Sequence, residues 1–269
     1  MVARPGEGLD AWIRGYDFPF TLPPKLRFVK ISIIIPAFNE ERLLGETMKH
    51  VQAARAALTA SGWESELIVC DNNSTDRTAD IARAAGATVV FEPINQIARA
   101  RNAGAAAATG DWLLFIDADS HPSKELFADV IAAIESSRWL AGGTRIRLEA
   151  GYPLGSFVTW TWNCISRWKR LLAGSFIFCE AKVFREIGGF SNELFAAEEL
   201  DLSQRLHVKA RAQGKGIVIL WRHPLVTSAR KVRLYTGREH LRFLWRVVRN
   251  HRESLRDREA CHQWYDGRR

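Results

Sequence analysis

Residues 112–119 have the sequence WLLFIDAD, five apolar residues followed by two aspartates one residue apart. An apolar run of this length is typical of a buried strand in an α/β sheet. Carboxylates at the end of such a strand lie in the crevice where open α/β sheets bind ligands. Because Asp117 and Asp119 repel each other, a site that keeps both ionised needs a cation, and a divalent ion with oxygen ligands is the natural candidate. A polar turn at a strand end would give the same pattern.

The chain before this stretch alternates between apolar strands and helical patterns. Strands are predicted at 31–35, 66–70 and 88–91, and helices at 41–60, 76–85 and 97–109. This order predicts an α/β fold with a Rossmann-like, mostly parallel sheet flanked by helices. Asn39, Asp71 and Asp117 each follow a strand directly, so right-handed crossovers should bring them to one edge of the sheet.

The second half of the chain is less regular. Helices are predicted at 124–135 and 181–187 and around Glu198, Glu199 and Asp201, and strands near 143–148, 175–179 and 216–221. We expect an extended N-terminal arm at 1–30 and a catalytic domain at 31–222. Its nucleotide-binding half would be 31–120 and its acceptor half 121–222, followed by a basic C-terminal loop and helix at 223–269.

Composition limits the kind of protein. The 269 residues carry a net charge of +8, which favours anionic partners. Four cysteines show neither a CxxC pair nor a zinc spacing, as expected for reduced thiols in a cytoplasmic protein. The sequence shows no membrane-spanning stretch and no signal-peptide pattern, so we expect any membrane contact to be peripheral.

Several short motifs, taken in order, resemble a family 2 glycosyltransferase with the A-type nucleotide-sugar transferase fold. They are IIIPAFNEE at 33–41, DNNSTD at 71–76, ARNAG at 100–104, DAD at 117–119, GSF at 174–176, GGF at 188–190 and EELDL at 198–202. Each is weak alone, but together in this order they are specific. The resemblance covers about Ile31 to Leu220.

The resemblance implies a nucleotide site. Pro36, Ala37 and Glu40 would contact the nucleoside, and Asp71 would accept a hydrogen bond from the base imide. Arg101 would lie near the nucleotide, where a guanidinium suits anionic oxygens. Asp71 also fits a cap of the following helix, and Arg101 an ordinary solvent-facing helix residue.

The resemblance also implies a metal ion. Asp119 would bind Mn²⁺ or Mg²⁺ directly, and Asp117 would reach the ribose and a metal-bound water. His121 or His223 is a candidate for a further ligand, although a single loop histidine is more often at the surface.

The general base is where the sequence departs from the family. Family members usually have Glu-Asp at the position of Glu198-Glu199, with the aspartate as base, so Glu199 takes this role with one extra methylene. Glu198 or Asp201 is the alternative. The same carboxylates also suit the start of a helix.

The implied reaction is a single inverting displacement that moves a sugar, with hexoses expected, from a nucleoside-diphosphate sugar to a hydroxyl or phosphate acceptor. UDP-sugars are favoured as donors. The QxxRW signature of processive members is absent, so one sugar per encounter is expected. Gly174, Ser175, Trp160 and Trp162 are candidates for the acceptor site, and glycan, lipid and small-molecule acceptors all stay open. The tryptophan-rich segment 158–170 would equally suit a buried core.

The C-terminal region suggests a second surface. Arg238, Arg242, Arg246 and Arg249 fall on one helical stripe, which suits either an anionic membrane, such as the inner face of the cell membrane, or packing on the domain. Arg230 and Lys231 lie in a loop that would be able to close over a diphosphate.

Two other functions fit parts of the sequence. A haloacid-dehalogenase-like phosphatase would use Asp117 as its nucleophile, but that motif normally lies in the first strand. A non-catalytic protein that binds nucleic acid or a membrane surface would explain the basicity, but no helix-turn-helix, RNP or zinc motif supports nucleic-acid binding. We therefore expect no nucleic-acid partner.

Overall fold

A computed structural model describes residues 29–149, 153–230, 255–259 and 261. The expected arm before Val29 and the expected basic helix around Arg238–Arg249 lie outside the described residues. The elements follow in chain order: β1 (Lys30–Ala37), α1 (Leu44–Ala60), β2 (Glu64–Asp71), α2 (Thr78–Ala84), β3 (Thr88–Phe91), α3 (Ile97–Ala107), β4 (Trp112–Ile116), β5 (Ser120–His121), α4 (Lys124–Glu135), β6 (Trp139–Leu148), α5 (Pro153–Lys169), β7 (Phe176–Glu180), α6 (Ala181–Glu186), α7 (Glu198–Ala212) and β8 (Gly216–Thr227).

The described strands form one eight-stranded sheet in the order β3-β2-β1-β4-β7-β6-β8-β5. Strands β3, β2, β1 and β4 are parallel to one another, as the alternation of strands and helices predicts. Strand β7 is antiparallel to both β4 and β6, whereas β6 and β8 are parallel. The expectation of a mostly parallel sheet is confirmed.

The central strands are buried on both faces, which explains their continuous apolar sequences. In β1, Ile33 and Ile35 face the core under α1 and α4, while Ile34 faces the core under α3, α6 and α7. Strand β4 alternates in the same way, with Leu114 on one side and Phe115 on the other. The sheet therefore lies between two helical layers, with its edge left open for a site.

Several element boundaries differ from the expectation, two of them near the site. Strand β8 continues past residue 221 to Thr227, because it stays paired with β6 up to that residue while its last two residues also pair with the short β5. Helix α2 begins at Thr78 rather than at Asp76, whose carboxylate accepts a hydrogen bond from the Thr78 amide at 2.9 Å.

The tryptophan-rich segment forms helix α5 against β6 and β8. The Asn163 side chain bonds both the amide and the carbonyl of Ile146, at 2.9 and 2.8 Å, which ties the helix to β6. None of the described helices has the length and apolar character that crossing a bilayer requires.

Candidate active site

The ends of β1, β2 and β4 bring the expected polar residues to one edge of the sheet. Strands β1 and β2 are in register up to Ala37 and Asp71, and the Asn72 amide donates to the Ala37 carbonyl at 2.8 Å. Pro36 and Ala37 are buried at the end of β1. Beyond them, Asn39 adopts φ 52° and its side-chain oxygen accepts from the Thr75 amide at 2.8 Å.

Asp71 is buried at the end of β2 and accepts a hydrogen bond from the Ser74 amide at 3.0 Å. This bond closes a turn of the kind aspartate favours and fixes the carboxylate at the crevice. Asp71 does not cap a helix, because α2 begins seven residues later, at Thr78. The geometry is compatible with the expected role toward a base, which stays a prediction.

Arg101 lies on α3 and is 1% exposed. Its guanidinium donates to the Glu198 carboxylate at 2.7 Å and to Asp117 at 2.9 Å, and to the carbonyl of Gly174 at 2.8 Å. The Phe190 ring lies 5.1 Å away, in cation–π contact. Arg101 is thus a buried bridge between β4 and α7 and is not the solvent-facing helix residue considered from the sequence.

Helix α7 begins directly at the paired glutamates. The preceding residue, Ala197, has φ 59°, and its carbonyl accepts the first amides of the helix. Glu198 is buried against Arg101, and Glu199 is partly buried beside it. Burial, followed by the nearby Glu198 carboxylate, raises the pKa of Glu199 to about 8, although Arg101 acts in the opposite direction. Glu199 therefore holds a proton near neutral pH and loses it a little above.

Asp119 and Glu40 share a cation at the end of β8. Arg230 donates two hydrogen bonds of 2.7 Å to the Glu40 carboxylate, and its guanidinium lies 3.7 Å from an Asp119 oxygen. Thr227 donates to the other Asp119 oxygen at 3.5 Å, and the Ser228 amide bonds the Asp119 carbonyl. A positive group thus already sits against the aspartate expected to bind metal.

The two histidines considered as metal ligands have other contacts. His223 bonds the Asp129 carboxylate of α4 at 2.9 Å. His121 stacks on His50 with 4.6 Å between the ring centroids, and its Nδ1 lies 3.7 Å from Glu149. Burial, together with His50, lowers the pKa of His121. Within the described residues, no three histidine, cysteine, aspartate or glutamate side chains form a metal-binding group.

Two protein carboxylates are nevertheless enough to hold a hard divalent cation when phosphate oxygens of the substrate supply further ligands. Mg²⁺ is commonly held by one or two carboxylates, with phosphate and water oxygens completing its shell. Asp119 offers buried carboxylate oxygens, which Arg230 partly neutralises in the absence of a metal, and the DAD segment sits at the end of β4. The residues present therefore fit Mn²⁺ or Mg²⁺.

The candidates for the acceptor site fall into two groups. Gly174 and Ser175 lie beside the carboxylates, since the Ser175 carbonyl accepts from the Asp117 amide at 3.2 Å. Trp160 is 59% exposed on α5, whereas Trp162 is partly buried on the same helix. A core role is thus wrong for Trp160.

Asp201, the alternative base, forms an ion pair with Arg205 one turn further along α7.

Some contacts at the site were not predicted from the sequence. Phe190 belongs to a quoted motif but had no role assigned, and its contact with Arg101 depends on how α3 meets the loop before α7. No local sequence pattern indicated the contact between Thr227 and Asp119, because the two residues are 108 positions apart. The Glu40–Arg230 pair joins residues 190 apart.

Comparison with known proteins agrees with this geometry. The family model for "Glycosyl transferase family 2" matches residues 32–169, a little over half of the chain. An uncharacterized glycosyltransferase of Mycobacterium tuberculosis is 33% identical over 115 residues, covering 43% of this chain and 48% of the relative. Probable glycosyltransferase YdaM of Bacillus subtilis is 26% identical over 200 residues, covering 66% and 46%. The chain thus spans about half the length of these relatives.

Solved structures share the fold. Mannosyltransferase PcManGT of Pyrobaculum calidifontis, in complex with GDP-Man and Mn²⁺, superposes with a TM-score of 0.61 at 18% identity, covering 94% of this chain and 69% of that one. S. aureus TarS 1–349, in complex with UDP-GlcNAc, gives 0.59 at 20% identity, covering 88% and 73%. These neighbours have the A-type glycosyltransferase fold. With its ordered motifs, its fold and the family match together, this chain belongs to glycosyl transferase family 2.

Proposed function

We propose that this chain is a metal-dependent, non-processive, inverting glycosyltransferase that uses a nucleoside-diphosphate sugar, with Glu199 as the general base. The observation that carries the proposal is the pair of acidic centres on either side of Arg101. Asp117 lies on one side at the strand edge, and Glu198 and Glu199 lie on the other at the start of α7. One centre suits the donor diphosphate and the other the acceptor hydroxyl.

The donor would bind in the crevice at the ends of β1, β2 and β4. Asp71, fixed by the Ser74 amide, would accept from the imide N–H of the base, with Pro36, Ala37 and Glu40 beside the nucleoside. UDP-sugars are favoured, but thymine presents the same imide N–H and a carboxylate can also accept from guanine, so dTDP- and GDP-sugars are the alternative donors. Mn²⁺ or Mg²⁺ held by Asp119, with Asp117 nearby, would supply charge stabilisation for the departing nucleoside diphosphate.

The two glutamates at the start of α7 would have different roles toward the acceptor. Glu198 accepts a 2.7 Å hydrogen bond from the Arg101 guanidinium, and this ion pair would position the start of α7. Ionised Glu199, whose raised pKa of about 8 makes it a stronger base, would take a proton from an acceptor hydroxyl as that oxygen attacks the anomeric carbon, and the ionised fraction grows as the pH rises toward 8. Arg101 is a positioning residue, because it fixes Asp117 and Glu198 through the same guanidinium.

The identity of the acceptor stays broad. Gly174 and Ser175 adjoin the carboxylates and are proposed to line the acceptor position. Glucosyl-3-phosphoglycerate synthase of Mycobacterium tuberculosis, which has the same fold at 21% identity and a TM-score of 0.54, covering 87% of this chain and 80% of that one, has been solved with phosphoglyceric acid. We propose a hydroxyl or phosphate group on a glycan, lipid or small molecule for this chain.

The test is calorimetric binding of UDP, GDP and dTDP with and without Mn²⁺. The wild type is compared with Asp119→Ala and with Asp80→Ala, which removes an exposed carboxylate from α2. We expect metal-dependent binding of one nucleotide that Asp119→Ala abolishes and Asp80→Ala leaves unchanged. Folded protein that binds no nucleotide under any of these conditions would overturn the assignment.

A further inference from the structure

Helix α5 places much of its apolar surface outward. Val158, Ile165 and Trp168 are 61%, 43% and 77% exposed, and they recur at helical spacing along one side. The buried side of the helix carries polar groups instead, among them Asn163, which bonds the backbone of β6. This arrangement is the reverse of the one expected for a helix that only covers a domain core.

Cations surround the end of this apolar stripe. From residue 150 to residue 179 the sequence contains Arg167, Lys169 and Arg170 and no aspartate or glutamate. The Lys169 ammonium lies 4.4 Å from the Trp168 ring, and the Arg167 guanidinium lies 4.7 Å from the Trp221 ring on β8. A groove of about 720 Å³ lies beside them, lined by Cys164, Arg167, Trp168, Arg170 and Trp221.

We propose that the outer face of α5 is a docking surface for an anionic phospholipid bilayer. The helix would lie in the plane of the interface, with Val158, Ile165 and Trp168 among the upper acyl chains. The three cations and the groove between them would meet lipid phosphates. Exposed apolar side chains beside tryptophan and basic residues are the chemistry of an interfacial helix, and the one-signed charge of the segment complements an anionic surface.

The experiment is co-sedimentation of the full chain with vesicles of phosphatidylcholine alone or of phosphatidylcholine and phosphatidylglycerol in equal parts. We expect binding only to the anionic vesicles, weakened by added salt. Replacing Arg167 and Lys169 by glutamine should lower the partition coefficient about tenfold or more. Lys182→Gln with Arg83→Gln removes the same charge from exposed sites on other helices and should cost much less.

A second pair of variants tests the contribution of the apolar side chains of α5. Trp168→Glu should abolish vesicle binding, while Val208→Glu, at a site on α7 that is 71% exposed, should leave most of it. Thermal melting of each variant confirms that it is folded. Equal losses in the two variants, or equal binding to neutral and anionic vesicles, would overturn the proposal.

Cys164 provides a direct probe of the surface. It is the exposed cysteine, whereas Cys70, Cys179 and Cys261 are buried, so an environment-sensitive fluorophore can be attached to α5 selectively. We expect its emission to shift to the blue when anionic vesicles are added. An emission that is already blue without vesicles would show that another part of this chain covers the helix. A doubled mass in light scattering that Trp168→Glu returns to the monomer value would assign the face to a second copy. Either result refutes bilayer docking.

Discussion

Replacing Glu199 by glutamine removes a proton-binding group from the start of α7 while keeping its size. Because burial and the Glu198 carboxylate raise the pKa of Glu199 to about 8, the folded protein keeps this proton between about pH 4.5 and pH 8, whereas the unfolded chain has released it. Over that range the wild type therefore loses stability as the pH rises. The glutamine variant has no such dependence.

The size of the effect follows from the proton affinity. A tenfold difference in proton affinity corresponds to about 1.4 kcal/mol, so a rise from 4.5 to about 8 sets an upper limit of roughly 5 kcal/mol. Glu199 keeps some contact with solvent, which weakens the effect of burial, and we expect about 2 kcal/mol. The variant should therefore gain this much stability relative to wild type between pH 5 and pH 9.

The assay is urea unfolding of both proteins at several pH values, with Glu135→Gln, at an exposed position at the end of α4, as the control. If sugar transfer is established, the wild-type rate should rise toward pH 8 and the variant should lose about 10²–10⁴-fold in kcat. A difference in unfolding free energy that stays constant from pH 5 to pH 9 would refute the assigned environment of Glu199.

Three other predictions, the last with a matched pair of variants, test separate parts of the structure. Arg101→Met should destabilise the protein by about 3–5 kcal/mol in urea unfolding, because two carboxylates lose their buried cation; a change below 1 kcal/mol would contradict the bridge. Arg230→Ala should strengthen binding of Mn²⁺ without nucleotide in calorimetry, because its guanidinium lies 3.7 Å from Asp119; weaker binding would argue against this competition. Gly142→Ala should cost about 1–3 kcal/mol, because its Cβ would lie 2.3 Å from a phenylalanine ring on β7. Gly45→Ala on α1, whose nearest contact would be Ile81 on α2 at 3.9 Å, should instead add up to about 1 kcal/mol; equal melting temperatures for these two variants would contradict the packing.

Much of the fold of residues 31–120 was determined by the sequence itself. The strand around Phe115, the edge position of Asp71 and Asp117, and the helices between the strands follow from local apolar runs and the right-handed crossover rule. Because these features depend on residues close in sequence, their pattern is visible before folding. The ordered motifs likewise predicted the family, which the match over residues 32–169 confirms.

The connections across the site were decided only by the tertiary structure. Strand β7 runs antiparallel to β4, so the start of β7, rather than its end, brings Ser175 to Asp117. Arg101 bridges carboxylates 16 and 97 residues away, and Arg230 reaches Glu40 across 190 residues. Such pairs form because packing removes water from charged groups, which then need partners. Which charges are buried together depends on how helices that are far apart in sequence pack against one another. The local sequence pattern does not contain this information.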